Sequence, residues 1–299
     1  MSGSSLADQL RAAAAIEHFQ TLDAKTLAKI RAEAMTPKHA PVAVAEVPAH
    51  APLTVLVIGD SHARHDVPND RYALLGRFAA KLRPDVIVDI GDWFDMPSLS
   101  SYDVGKACFE GRRYWRDIAA GIDAQERFQR EIDRAKGYAP YKLRTLGNHE
   151  NRIGKVADID PRFHGLIGTP DLCSAHYGWD EAGFLEVRRV GGVAFSHYFT
   201  SGVMGRAIGG ETPARMVIIK QHVSAVQGHS HLFDYAERTD PSGKRLCAAH
   251  AGCFFEHRED YAGPANLMWR RGLLVLRNVV DGCFDPDWWS FDRIRRWLG

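Results

Sequence analysis

The chain has 299 residues, of which 45% are hydrophobic and 25% charged, values that are ordinary for a soluble globular protein of one large domain with appendages or two small domains. A net charge of +1 gives no overall electrostatic case for a nucleic-acid-binding protein. No apolar run approaches the roughly 20 residues that span a bilayer, and the first residues lack the apolar core of a signal peptide, so we expect neither membrane insertion nor secretion.

The cysteines point to a reducing compartment. There are five of them, an odd number, and no two are spaced as C-x-x-C. This pattern argues against a disulfide scaffold and against a thiolate zinc site. We therefore predict reduced thiols in a cytoplasmic protein.

The N-terminal region contains no residue pattern that suggests catalysis. Residues 1–36 are predicted to form a helical arm, because helix-forming residues dominate and Leu6, Leu10 and Phe19 fall roughly on one stripe. Residues 37–52 contain four prolines and are predicted to be a Pro-rich linker. The arm is interpreted as a docking or oligomerisation element, with a small nucleic-acid-binding helix pair as the alternative.

The first half of the body alternates strands and helices. Continuous apolar runs at 54–60 and 86–92 each end in polar residues, as buried strands do when they deliver side chains at their carboxyl ends. Residues 141–150 are predicted to be a third strand that ends in polar residues. Helical stretches separate them at about 70–82 and 111–136. This β-α-β-α-β order predicts a parallel sheet whose polar residues gather at one edge.

The second half is predicted to contain short strands. Gly191-Gly192 between two apolar segments is a hairpin signal, and residues 212–222 have a helical pattern. Short strands separated by turns follow, and residues 291–299 form a short helix or a basic tail. We expect one α/β domain made of two half-units.

Polar side chains follow or interrupt five of the apolar strands. Carboxylate, imidazole and amide groups together suit Zn, Mn or Fe, and their number exceeds what one catalytic ion needs. They suit two ions about 3.5–4 Å apart that share one carboxylate, which would lower the pKa of a shared water and clamp phosphoryl oxygens. The residues are Asp60, His62, Asp92, Asp95, Asn148, His149, Glu150, His197, His229 and His231.

The order of these residues resembles a known pattern. GDSH (59–62), GDWFD (91–95), GNHE (147–150), the isolated His197 and GHSH (228–231) resemble the five motifs of the calcineurin-like metallophosphoesterase superfamily. The resemblance implies a four-layer αββα sandwich over residues 53–299, with the dimetal site at the strand ends.

The resemblance also implies a role for each motif residue. Asp60, His62 and His231 would hold one ion. Asn148, His197 and His229 would hold the other, and Asp92 would bridge the two. His149 matches the residue that donates a proton to the leaving group, with Asp95 near it. The expected cofactors are two divalent ions, with manganese favoured and zinc, iron or nickel as alternatives.

Departures from the pattern bear on the substrate. The Ser/Thr protein phosphatases that share GNHE usually carry Gly, Arg-Gly and Arg at the places that hold Ala63, Met96-Pro97 and Leu146 here. The sequence resembles phage-encoded phosphoesterases and the nuclease-like branch instead, which would place the protein in a host cytoplasm. Candidate substrate-binding residues are Arg152 and Arg206.

Aromatic residues beside the motifs suggest contact with a nucleobase. Trp93, Phe94, Tyr198 and Phe199 could stack on a base, although packing in the core is the simpler interpretation of each. We therefore predict a phosphodiesterase or nuclease-like enzyme acting on a nucleotide or nucleic acid. The alternatives are a phosphomonoesterase for a small molecule or protein, and a non-catalytic metal-binding scaffold.

Overall fold

The computed structural model describes residues 46–299, and two six-stranded sheets form its centre. The first sheet has the order β14-β13-β2-β3-β4-β5, and the second has the order β1-β6-β7-β10-β12-β11. A small hairpin of β8 and β9 lies apart from both.

The first sheet contains the predicted parallel unit. Its strands β2 to β5 pair in parallel, and the antiparallel β13 and β14 extend it at the β2 edge. The alternation of strands and helices is therefore confirmed. The bounds are β2 Leu53–Ile58, α1 Asp70–Leu82, β3 Val86–Asp89, α2 Tyr114–Arg134, β4 Tyr141–Thr145, α3 Arg152–Ile159, β5 Asp180–Ala182, β13 Gly272–Val280, β14 Cys283–Ser290 and α5 Phe291–Leu298.

The second sheet mixes parallel and antiparallel pairs. The predicted hairpin at Gly191-Gly192 is present as β6 and β7, and β7 pairs in parallel with β10. The predicted helix at 212–222 is α4. The bounds are β1 Glu46–Val47, β6 Arg188–Val190, β7 Val193–Phe195, β8 Thr200–Ser201, β9 Arg206–Ala207, α4 Pro213–Gln221, β10 Ala225–Gln227, β11 Phe233–Thr239 and β12 Arg245–Ala251.

The four-layer αββα sandwich is confirmed by the way the side chains are buried. Alternate residues of a strand face opposite sides, so Val55 and Val57 of β2 pack between the sheets while Leu56 and Ile58 pack under α1, α2 and α5. On the far side, Val217 of α4 packs against the second sheet. Each sheet is thus covered on one face by helices and on the other by its partner sheet.

The N-terminal predictions fall largely outside the described residues. The helical arm at 1–36 and most of the linker at 37–52 belong to the part that the structure does not describe. The last part of the linker includes β1, which pairs in parallel with β6 and whose Val47 packs against the core between the sheets. Among the described helices, none is long and apolar enough to cross a membrane.

Candidate dimetal active site

The predicted site residues come together where strands of both sheets end. Asp60 follows β2, Asp92 follows β3 and Asn148 follows β4 of the first sheet, while His197 follows β7 and His229 follows β10 of the second. Because these strands run in parallel within each sheet, their carboxyl ends converge on one edge of the sandwich.

One set of ligand atoms is formed by Asp60, His62 and His231. Their candidate ligand atoms all lie within 4.8 Å of one another, and all three residues are buried. Oδ2 of Asp60 lies 3.0 Å from Nε2 of His231. This is the set that the sequence predicts for the first ion.

A second set surrounds Asp92, His197 and His229, whose ligand atoms also lie within 4.8 Å of one another. Oδ1 of Asn148 is 2.9 Å from Nε2 of His197. Oδ2 of Asp92 lies 3.4 Å from Nε2 of His197 and 3.8 Å from Nε2 of His62, which belongs to the first set. Asp92 therefore stands between the two sets, where a bridging carboxylate would be.

The chemistry of these atoms fits cations. Nδ1 of His197 lies 2.9 Å from the carbonyl oxygen of Ile90, and in the tautomer that donates there, Nε2 directs a lone pair at the oxygens of Asn148 and Asp92. A cation between these three acceptors would satisfy all of them. In the first set, the buried atoms Oδ2 of Asp60 and Nε2 of His62 make no well-directed hydrogen bond among the described residues.

The pKa directions of two buried groups, His62 and Asp92, also suit metal binding. Burial and the neighbouring His149 lower the pKa of His62, which favours the neutral imidazole that a metal requires. Burial acts to raise the pKa of Asp92, but His149 and His197 outweigh it and lower that pKa. The carboxylate therefore stays ionised. His197 differs, because burial acts to lower its pKa but the carboxylates of Asp92 and Asp60 outweigh burial and raise that pKa.

The backbone of the site is strained at four of the predicted ligands. His62, Asp92, His229 and His231 have φ angles of 46°, 56°, 72° and 60°. Residues other than glycine seldom adopt this left-handed region, and each instance costs about 1–3 kcal/mol. Such strain persists where the surrounding fold determines the position of the side chain, as a metal site requires.

Two motif glycines allow the carboxylates to approach the backbone closely. A Cβ atom at Gly147 would lie 2.0 Å from Oδ1 of Asp92, and one at Gly228 would lie 2.4 Å from Oδ1 of Asp60. Instead, Oδ1 of Asp92 accepts from the N–H of His149 at 2.9 Å, and Oδ1 of Asp60 accepts from the N–H of His229 at 3.0 Å. Each carboxylate is thus oriented by a neighbouring motif.

His149 lies beside the ligand sets and contacts Asp95, as the sequence predicts. Nδ1 of His149 is 2.9 Å from Oδ1 of Asp95 and 2.6 Å from its carbonyl oxygen, while Nε2 is 3.7 Å from Oδ2 of Asp92. Burial acts to raise the pKa of Asp95, but the two neighbouring histidines outweigh burial. They hold the pKa of Asp95 well below its usual range. An ionised Asp95 therefore orients the His149 ring.

The two predicted substrate-binding arginines occupy different environments. Arg152 is half-buried, and its guanidinium donates to the carbonyl oxygens of Asp95 and Met96 at 2.9 and 3.1 Å. It also lies 3.1 Å from Nε2 of His149. Arg206 is exposed on β9, in the hairpin that follows His197 and Tyr198.

Trp93 and Phe94 pack in the core, which was the simpler of the two interpretations, so neither can stack on a base. Both side chains are fully buried, and the Nε1 of Trp93 donates to the carbonyl oxygen of Gly121 in α2. Phe199 is also buried. Tyr198 is half-buried and lies with its ring centroid 4.7 Å from that of His229, so it alone of the four borders the predicted ligands from a partly open position.

Glu150, to which sequence reasoning assigned no role, holds together the loops that carry predicted site residues. This fully buried carboxylate accepts from the backbone N–H groups of Asp92, Phe94 and Gly147 at 3.0, 2.9 and 2.8 Å. It thereby joins the loops after β3 and β4. Its place directly after His149 in the motif was the only signal in the sequence.

Two further residues border the site without having been predicted. Nε of Arg64 lies 3.4 Å from Oδ2 of Asp95, and the indole of Trp269 packs edge-on against His231 with a centroid distance of 4.4 Å. Arg64 follows the predicted ligand His62 by two residues, which was a usable signal. Trp269 lies far from every motif in the chain, so only the fold reveals it.

Comparison with known proteins decides the family. The model of the calcineurin-like phosphoesterases matches residues 53–237, which is more than half of the chain and includes all five motifs. The chain belongs to the calcineurin-like phosphoesterase family. It is therefore a metal-dependent hydrolase that acts on phosphoester bonds, and its family generally uses two divalent ions.

Other comparisons add little detail about this phosphoesterase. Among curated proteins, none matches the chain. Matches to solved structures number 45 chains. One of them is a crystal structure with 13% sequence identity and a TM-score of 0.38, and the match covers 80% of this chain and 100% of the other.

Proposed function

We propose that this phosphoesterase hydrolyses phosphodiesters of nucleotides or nucleic acids, with His149 as the general acid. Asp60, His62 and His231 would hold one ion, and Asn148, His197 and His229 the other, with Asp92 between them. When bound, such a pair of ions lowers the pKa of a water molecule and offsets the charge on the phosphoryl oxygens. The residues of the chain would orient the ester and supply the proton.

His149 is placed to handle that proton. Hydrolysis adds water to phosphorus and breaks the bond to the leaving oxygen, which must take up a proton unless it is a very stable anion. Nδ1 of His149 is held by Asp95, so Nε2 is the atom that can face the ester. Asp95 supports the charged imidazolium in the same way that a carboxylate supports histidine in other acid–base pairs.

The observation that favours a diester is that the guanidinium of Arg152 already forms hydrogen bonds with the protein backbone. A monoester dianion has a third charged oxygen, for which phosphatases usually supply guanidinium groups that fork onto it. The guanidinium of Arg152, which neighbours His149, already donates to the carbonyl oxygens of Asp95 and Met96. A diester monoanion needs fewer such contacts.

A phosphomonoesterase is the second candidate, and the same arginine favours it in part. Besides those two hydrogen bonds, the guanidinium of Arg152 lies 3.1 Å from Nε2 of His149, the atom that would face the leaving group. Its remaining N–H groups could contact a phosphate there.

Kinetics on matched esters decide between the two functions. We expect kcat/KM to be higher for bis-p-nitrophenyl phosphate than for p-nitrophenyl phosphate when the protein is loaded with Mn²⁺. Both esters release the same phenolate, so leaving-group chemistry is constant. A tenfold or larger advantage of the monoester, about 1.4 kcal/mol in the barrier, would contradict the diesterase proposal.

Manganese is the ion that we propose, because a set of carboxylate, amide and imidazole ligands without thiolates suits it. Zinc, iron and nickel remain alternatives. Metal analysis of the purified protein, followed by assays of chelator-treated protein reloaded with Mn²⁺, Zn²⁺, Ni²⁺ or Mg²⁺, would rank them. Zinc at two ions per chain and full activity with zinc alone would overturn the choice of manganese.

A further inference from the structure

A cleft of about 860 Å³ opens beside the active site, between residues 64–69 and one face of α2. On the helix, Trp115, Ala119, Asp123 and Arg127 line it at intervals of four residues, which places them on one face. Twelve residues of helix extend for about 18 Å. The cleft is therefore much longer than a single phosphate group.

One side chain in the wall of the cleft contacts the proposed catalytic groups. Arg64, in its wall, lies 3.4 Å from Asp95, and Asp95 in turn contacts His149. The wall that contains Arg64 starts two residues after the predicted ligand His62. The cleft therefore adjoins the proposed catalytic groups at the contact between Arg64 and Asp95.

The end of α2 that contains Trp115 is the end near the site. Oδ2 of Asp117 accepts from the backbone N–H of Ser98 at 2.9 Å, and Ser98 lies three residues after Asp95. Nδ1 of His65 is 3.8 Å from Oδ1 of the same Asp117. These contacts attach the first turn of α2 to the loops that follow β2 and β3.

The charges in the cleft leave one arginine without an acidic partner. The two lining aspartates are held by arginines, Asp66 by Arg64 at 2.8 Å and Asp123 by Arg127 at 2.8 Å. Arg116, the third lining arginine, is exposed and forms no ion pair among the residues that the structure describes. Its guanidinium lies 5.2 Å from the centroid of the half-buried Trp115 indole.

A flat indole, with a guanidinium over its ring that forms no ion pair with a described residue, matches one class of substrate. Nucleobases stack on Trp rings and on guanidinium planes, and arginine binds phosphates through paired N–H groups. The cleft thus offers a stacking surface and a cation next to a site that acts on phosphoesters. A bare sugar phosphate or an alkyl ester would leave the indole unused.

We propose that this cleft is a nucleotide subsite, in which Trp115 stacks on a base of the substrate and Arg116 binds a neighbouring phosphate. The proposal rests on the proposed phosphodiesterase function and specifies its substrate class. It assigns base stacking to Trp115 in place of Trp93 and Phe94, which are buried.

The kinetic test compares two diesters that release the same phenolate. The ratio of kcat/KM for p-nitrophenyl thymidine 5′-phosphate to that for bis-p-nitrophenyl phosphate should fall about 5- to 100-fold in Trp115→Ala, the range expected for one base–aromatic stack. Trp115→Phe, which keeps an aromatic ring, should restore much of the ratio. Arg130→Ala, on an exposed part of α2 outside the cleft, is the matched control and should leave the ratio unchanged.

A binding measurement tests the subsite without turnover. The probe is a phosphonate analogue of thymidine 5′-phosphate in which a methylene replaces the bridging 5′ oxygen, and ethylphosphonate is the probe without a base. Calorimetry on the metal-loaded protein should show tighter binding of the thymidine analogue, and Trp115→Ala should remove most of that preference. Arg116→Ala should weaken the binding of an analogue with one more phosphate by a larger factor than it weakens the thymidine analogue.

The outcomes separate the subsite from the function on which it rests. Equal binding of the two probes, or equal losses on both diesters in Trp115→Ala, would overturn the subsite. Wild-type protein that cleaves neither diester would refute the phosphodiesterase function, and the binding measurement would still decide whether the cleft accepts a nucleotide.

Discussion

At the scale of single residues, the proton on His149 is subject to opposing influences. Burial and the nearby Arg152 act to lower its pKa, whereas the carboxylates of Asp92 and Asp95 act to raise it. The carboxylates prevail and raise the pKa of His149 to about 9. In the metal-free protein this favours the protonated ring at neutral pH, which is the form that a general acid needs.

Replacing His149 tests this role. We expect His149→Ala to lower kcat on a diester with an alkoxide leaving group by roughly 10²–10⁴-fold, as loss of a general acid does. The loss on bis-p-nitrophenyl phosphate should be smaller, because nitrophenolate hardly needs a proton. Metal content, measured by atomic absorption, should stay the same as in the wild type.

The exposed His164 supplies a control for that experiment, and His164→Ala should match the wild type in both assays. A His149→Ala protein that has lost a metal ion would show that His149 is a ligand. In that case the assignment of the acid would be wrong.

At the scale of elements, β4 and α2 are joined by a buried amine. Lys142 of β4 is only 5% exposed, and its Nζ donates to Oε1 of Gln129 in α2 and to the carbonyl oxygen of Tyr177. Burial lowers its pKa to about 7, although Asp133 acts in the opposite direction. The folded protein thus favours the neutral amine over a pH range where the unfolded chain carries a protonated lysine.

This difference predicts how stability depends on pH. Between pH 7 and about 10.4, the unfolded chain binds a proton at Lys142 that the folded protein does not, so stability rises with pH. We expect the unfolding free energy of the wild type, relative to that of Lys142→Met, to rise by at most about 1.4 kcal/mol per pH unit. Below pH 7 both states are protonated and the difference becomes constant.

Urea unfolding of both proteins at pH 7, 8 and 9 measures this difference, and other titrating groups cancel in the comparison. A difference that stays flat with pH, or that falls as pH rises, would show that Lys142 is charged in the folded protein.

The elements that carry the predicted ligands could be read from the sequence for a simple reason. Buried parallel strands are continuous apolar runs, and the polar residue that ends each run, such as Asp60 or Asp92, must lie at the shared edge. The hairpin signal at Gly191-Gly192 then predicted a strand that contains His197, whereas in the structure β7 ends at Phe195 and His197 lies two residues beyond it. Local pattern and topology were sufficient for these positions.

What could not be predicted depends on how elements pack. Phe94 lies two residues after the predicted ligand Asp92, and no local sequence signal distinguishes a solvent-facing side chain from a buried one there. It is buried because Gly121 lets α2 approach so closely that a Cβ there would lie 1.9 Å from the Phe94 ring. The three hydrogen bonds of Glu150 and the cleft along Trp115 likewise arise only when separate loops meet.

At the scale of the whole molecule, the candidate site lies where the two sheets meet. The first sheet supplies Asp60, Asp92 and Asn148, and the second supplies His197 and His229. The sandwich must therefore be assembled before either set of ligand atoms is complete. Neither sheet alone provides a complete set of ligand atoms.

The N-terminal region is predicted to be dispensable for hydrolysis of small substrates, because it contains no motif. A deletion of residues 1–45 keeps β1, which pairs with β6 and belongs to the second sheet. We expect this deletion to keep kcat/KM on bis-p-nitrophenyl phosphate within about threefold of the wild type, a difference under about 0.7 kcal/mol. A folded but inactive product would show that the region shapes the site.

We expect two metal ions to share Asp92, and a crystal structure of the Mn²⁺-loaded protein tests this arrangement most directly. Anomalous scattering should show two ions about 3.5–4 Å apart, with the Asp92 carboxylate contacting both. Asp60, His62 and His231 should surround one ion, and Asn148, His197 and His229 the other. A single ion at full metal occupancy, or an Asp92 side chain that points away from both sets, would contradict this arrangement.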